Sequence, residues 1–175
     1  ATTPTVSQYF GSKRLKLIGP FVQQSLWLAA LLSILAVALL YTIDPLFDLL
    51  DIEDPIKSIG LGYLHAAAWS LPAMALMQSL RSFSEGLGIT KPLMYFSLLG
   101  LIINIPMNYI FINGHFGFPE MGGVGCGWAT TISMWISVIG MACYVYAKPV
   151  YHQCAMFTRF DWPKLTTQLT ILKVG

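Results

Sequence analysis

The chain is short of charge. Lys, Arg, Asp and Glu together make up 10% of its 175 residues, against 55% apolar residues. Soluble domains carry about 25% charged residues, and the mean hydropathy of +0.64 points the same way, to a membrane protein. Cysteine is scarce too. Cys126, Cys143 and Cys154 show no CxxC spacing, which gives a metal site or disulfide framework no support; they read as small helix-packing residues. Strand-like alternation punctuated by turns is missing, so a barrel is not expected. The glycine-rich stretch Met121–Thr130 lacks the Lys-Ser/Thr of a phosphate loop, and nucleotide binding is not expected there.

What remains is apolar sequence of spanning length. Four runs contain no Asp, Glu, Lys or Arg: Pro20–Ile43, Ser58–Leu80, Pro92–His115 and Met121–Ala147. A hydrocarbon core of roughly 30 Å takes about 20 helical residues, and each run suffices. The expected fold is all-α, a polytopic bundle with spans at about 20–43, 58–80, 92–115 and 121–147. The spans hold no paired acids, histidine cluster or activated nucleophile, so an enzyme is not expected.

The loop charges are segregated. Lys13, Arg14, Lys16, Arg81, Lys91, Lys148, Arg159, Lys164 and Lys173 fall on one side of the spans, and only Lys57 on the other. The positive-inside rule makes the basic side cytoplasmic, with both ends of the chain there. The acids Asp44, Asp48, Asp51, Glu53, Asp54 and Glu120 lie on the opposite side. Residues Asp44–Lys57 mix these acids with Leu46, Phe47, Leu49, Leu50 and Ile52, as a short amphipathic segment at the interface would. Residues 148–164 combine basic groups with Tyr151, Phe157, Phe160 and Trp162, an interfacial linker rather than a nucleic-acid surface. The chain opens on Ala1 without a signal-peptide pattern and closes within a fresh apolar pattern, Leu165–Val174, as an internal piece of a longer protein would.

One cluster stands out. Asn104 and Asn108 lie four residues apart on one helix face of the third run, with Pro106 between them. Lipid cannot satisfy an amide, nor the carbonyl of Ile102 that Pro106 leaves without a donor. Amide and bare backbone carbonyls are hard oxygen ligands, suited to Na⁺ or to a hydrated proton path. Interhelical hydrogen bonding, at about 0.6–2 kcal/mol per contact, uses the same groups, and from residue chemistry both readings stay open. Gly123 and Gly127 fit the small-xxx-small pattern of close helix approach. Thr130 and Thr131 can supply a hydroxyl ligand or bond back to the preceding turn. His65 in the second run can switch protonation or act as a neutral histidine bonded to a neighbour. Gln23, Gln24 and Gln78 can line a cavity, though hydration near the span end suits the first two. Trp27, Trp69, Trp128 and Trp135 suit an apolar ligand or packing. Arg81 and Glu85 are spaced for a helical ion pair.

Three motifs occur in order: Leu80-Arg81-Ser82-Phe83-Ser84-Glu85-Gly86 with Thr90-Lys91-Pro92, then Asn104-Ile105-Pro106-Met107-Asn108-Tyr109-Ile110-Phe111, then Gly122-Gly123-Val124-Gly125-Cys126-Gly127 with Ala129-Thr130. Together they resemble the multidrug and toxic compound extrusion (MATE) family, most of all its NorM-type bacterial branch. Pro4–Gly11 resembles the end of that family's second helix. The resemblance implies twelve helices in two lobes, with the four spans here as the third to sixth. Residues 148–164 would be the cytoplasmic linker between lobes, and 165–175 would begin the seventh helix. It implies export of drug-like, often cationic amphipathic compounds in exchange for Na⁺ or H⁺ across a bacterial inner membrane. It implies a cation site built from Asn104, Asn108 and Thr130 with an acid on a first helix outside this chain. Some relatives carry Asp where Asn108 stands. Alternating access, with bending at Pro106, is the implied mechanism. A lipid-linked sugar flippase, which would need a cationic cavity, and a structural membrane subunit are the alternatives.

Overall fold

A computed structural model describes residues 2–50, 53–154 and 168, and every regular element among them is helical. Helix α1 (Thr2–Gly11) leads through a 3₁₀ turn (Leu15–Leu17) into α2 (Ile18–Tyr41). A short α3 (Asp44–Leu49) precedes α4 (Asp54–Ala68), α5 (Ser70–Gly86), α6 (Lys91–Asn113) and α7 (Gly123–Ala147), and α8 (Pro149–His152) follows. Four stretches are long and apolar enough to cross a membrane: Leu15–Tyr41, Asp54–Gly86, Lys91–Asn113 and Gly123–Ala147. Asp51 and Ile52 of the acidic connection lie outside the described residues. So do the last ten residues of the expected linker, 155–164, and, apart from residue 168, the expected next helix.

Local chemistry sets the ends of these helices. Proline sits in the first turn of α3, α4 and α6, where its missing N–H costs nothing. Helix α6 stops at Gly114, which adopts φ 67°. A Cβ at Gly114 would also fall 2.7 Å from the Glu120 nitrogen, so the tight α6–α7 turn requires glycine. Serine hydroxyls within α2 donate back to their own helix, Ser25 to Val22 O and Ser33 to Ala30 O at 2.8 Å each.

The second run is not one continuous helix. It breaks at Trp69 between α4 and α5. Pro72 is the cause: it cannot donate to the Ala68 carbonyl, and its ring crowds that position. Helix α5 runs on to Gly86 and carries Arg81 and Glu85 as the i,i+4 ion pair that their spacing predicts.

Helix α7 is the hub, packing against α4, α5 and α6. Its glycines make this possible. Gly127 meets α4 so closely that a Cβ would lie 2.9 Å from both the Ala66 Cβ and the Tyr63 carbonyl oxygen. Gly125, turned the other way, meets the Phe111 backbone of α6. The expected small-residue seam is therefore two-sided.

An apolar core of buried residues lies at the basic end. Val6, Ile18, Val22, Phe83, Met141 and Val145 gather there around Tyr151. Tyr151 is buried, its ring 5.3 Å from that of Phe83, and it shares a hydrogen bond of 3.1 Å with the buried Ser84 hydroxyl. The start of the 148–164 segment thus folds back as a hook onto this core. The Gly19 N–H donates to the Cys154 carbonyl at 2.8 Å and closes it.

Candidate functional site

A cavity of about 450 Å³ opens between α5, α6 and α7, within the ~300–1,000 Å³ range of small-molecule sites. Each helix contributes one face. From α5 come Met74, Met77, Gln78 and Arg81; from α6, Leu93, Phe96, Ser97, Gly100, Leu101 and Asn104; from α7, Thr130, Ser133, Met134 and Ser137. Steps of three and four residues recur on all three helices, so each set is one helical stripe. The walls combine methionine, leucine and phenylalanine with amides and hydroxyls. Unbranched methionines adapt to ligands of varied shape.

The hydroxyl protons on α7 are already committed. Thr130 donates to Cys126 O at 2.9 Å, Ser133 to Ala129 O at 2.7 Å and Ser137 to Ser133 O at 2.9 Å. Each hydroxyl can then offer the cavity only oxygen lone pairs. On α6, the Asn108 Nδ2 group donates to the Asn104 Oδ1 at 2.9 Å and to the Asn104 backbone carbonyl at 3.0 Å. The Asn104 side-chain oxygen retains a second lone pair. The polar wall is rich in acceptors, which suits a cation or a ligand that donates hydrogen bonds.

The expected trio is divided. Asn104 and Thr130 border the cavity; Asn108 stands behind Asn104 and orients it. Pro106 lies elsewhere. Asn104 and Asn108 are half-buried, while Ile102, Ile105 and Pro106 are exposed. Two residues of helix turn through about 200°, so the carbonyl released by Pro106 opens on the face opposite the amides. Helix α6 itself continues without interruption through Pro106.

Of the other candidates, Gln78 lines the cavity. Gln24 is buried, not hydrated. His65 is not among the lining residues, and the described residues contain no cluster of three or more metal-ligating side chains. Arg81 is the one charged lining residue, and its Nε donates to Glu85 at 2.8 Å.

Sequence reasoning passed over Ser97, Gly100, Ser133 and Ser137. Their signal was present as two small, polar stripes at helical spacing on adjacent spans. It also left the role of Thr131 open. Thr131 donates to Ala66 O at 2.7 Å, Trp135 Nε1 to Trp69 O at 3.0 Å, and Ser70 to Ala67 O at 2.6 Å. Side chains therefore donate to three carbonyls around the Trp69 break, those of Ala66, Ala67 and Trp69, two of them from α7.

Comparison with known proteins adds an independent line. The MatE family model matches residues 1–110. The multidrug resistance protein PmpM of Pseudomonas aeruginosa is 40% identical over 176 residues, covering 100% of this chain and 37% of that protein. The multidrug resistance protein NorM of Photobacterium profundum is 41% identical over 175 residues, and MdtK of Klebsiella pneumoniae 38% over 176. In each of these two the match covers 100% of this chain and 38% of the relative. The chain thus spans well under half the length of the curated relatives it matches.

Proposed function

The chain belongs to the MatE family, and from that premise we propose that it forms part of a multidrug efflux antiporter. The transporter exports amphipathic, often cationic, compounds in exchange for Na⁺ or H⁺ by alternating access. The observation that carries this reading is the acceptor-rich wall. Asn104 and Thr130 border one cavity, with the α7 hydroxyl protons turned inward to their own helix. Oxygen lone pairs set among methionines and Phe96 suit a bound cation beside an apolar ligand.

In this reading Asn104 and Thr130 contact the coupling cation and Asn108 holds the Asn104 amide in place. An acid supplied from beyond this chain completes the site. The cation biases the two access states only by its differential affinity for them. Bending of α6 at Pro106 is the proposed conformational step. The basic end faces the cytoplasm of a bacterial inner membrane, as the Lys and Arg distribution favours. The paired state of Arg81 weighs against a flippase for anionic lipid-linked sugars, because Glu85 balances its charge.

Dye efflux by the complete protein in proteoliposomes tests the reading, with Na⁺ and pH gradients imposed separately. Efflux should follow one gradient and collapse when that gradient is dissipated. Efflux that runs equally without either gradient would overturn it.

A further inference from the structure

Away from the cavity, the second span carries a histidine in an unusual setting. His65 lies in the last turn of α4. Its Nε2 atom is shut off from solvent, has no hydrogen-bond partner and lies 3.6 Å from Asp44 Oδ1. That separation is too long for a hydrogen bond, but it becomes an ion pair once the imidazole is charged. The Tyr41 ring stacks on the imidazole, with centroids 4.4 Å apart and planes 4° from parallel. Tyr41 is itself fixed, because Trp69 Nε1 donates to its hydroxyl at 3.0 Å.

The contacts around α3 show what such a charge would hold. Helix α3 runs antiparallel to α4: Asp44 meets His65, the Phe47 ring meets Gly60, and Asp48 meets Lys57. One end of α3 is fixed by a standing ion pair; the other faces a group that must first gain a proton. The surrounding groups leave His65 one acidic neighbour. Tyr41 faces it from α2 and Asp44 from α3, while Asp48 is engaged by Lys57. The charged residues of α4 itself are Asp54 and Lys57, both in its first turn. Helix α7 brings the neutral Thr131 and Trp135 to the carbonyls beside His65. Trp69 at the break and Ser70 at the near end of α5 are neutral, and Arg81 and Glu85 lie at the far end of α5.

We propose that His65 and Asp44 form a proton-binding latch, separate from the Asn104–Thr130 wall, in which proton uptake by His65 closes the ion pair and clamps α3 against the α4–α5 break. Histidine is the side chain suited to this, since its ordinary charge change falls between about pH 5 and 8. The latch does not depend on which ion the cavity binds.

Hydrogen–deuterium exchange of the complete protein in nanodiscs tests it, read without substrate or ion gradient and so independently of efflux. After correction for the intrinsic effect of pH, residues 44–50 should exchange about threefold more slowly at about pH 5.5 than at about pH 8, the size expected of a partly exposed ion pair. Asp44→Asn and His65→Gln should each abolish the difference. Equal protection at both pH values in the unaltered protein would overturn the proposal, as would a difference that survives Asp44→Asn. If His65→Gln does not fold, the Asp44→Asn comparison decides.

Discussion

Thr131 on α7 donates its hydroxyl to the carbonyl of Ala66 on α4, at 2.7 Å and in a buried setting. The two residues are 65 positions apart in the chain. The bond joins the hub helix to the turn just before the Trp69 break, one residue from Thr130 on the cavity wall. Any tilt of α7 that moves Thr130 must therefore carry or break this tie.

Thr131→Val keeps the shape and removes the donor, leaving a buried carbonyl unsatisfied. We expect a loss of ~1–3 kcal/mol, read as a lower melting temperature of the complete protein in detergent. Thr131→Ser should retain most of the stability. Equal melting of the Val and Ser variants would show that the hydroxyl contributes little.

Gly127→Ala places a methyl group against Ala66 and the Tyr63 carbonyl. Overpacking of this kind costs ~1–3 kcal/mol. Gly11→Ala is the control, because nothing lies within 4 Å of its Cβ position. Thermal unfolding of the two variants should separate them clearly, with Gly11→Ala close to the unaltered protein.

Burial pushes the Tyr151 phenol above its ordinary range. Below about pH 10 the phenol is neutral whether docked or free, so docking of the hook is insensitive to pH. Above that, the free phenol ionises first, and docking weakens as pH rises through the raised value. Melting temperature should therefore fall more steeply between about pH 9 and about pH 11 in the unaltered protein than in Tyr151→Phe. The Phe variant should also start lower, since Ser84 loses its buried partner. Parallel pH curves would contradict the assignment.

Much of this architecture is legible in the amino-acid order. Spanning length and missing charge locate the apolar helices, since both follow from one-dimensional rules of the bilayer. The glycine spacing that places Gly127 against α4 is equally local. The break at Trp69 had a local signal in Pro72, which the unbroken hydropathy of the run concealed. Which hydroxyl crosses between helices was not legible: Thr130 and Thr131 are adjacent and chemically alike, and only the rotation of α7 sends one to Cys126 and the other to Ala66. The Asn104–Asn108 pair was legible from its spacing. That Pro106 opens on the opposite face follows from the same helical period, yet proximity in sequence suggested a shared site. The hook at Tyr151 was hidden because its core partners come from five separate helices.

The central claim is that the Asn104 amide, oriented by Asn108, contributes to cation-coupled transport. The most direct measurement is the initial rate of dye efflux by the complete protein carrying Asn108→Leu, at expression matched to the unaltered protein and under the coupling gradient. We expect the rate to fall about fivefold, corresponding to the loss of the neutral amide–amide hydrogen bond that orients Asn104, at ~1 kcal/mol. An unchanged rate at matched expression would contradict the account.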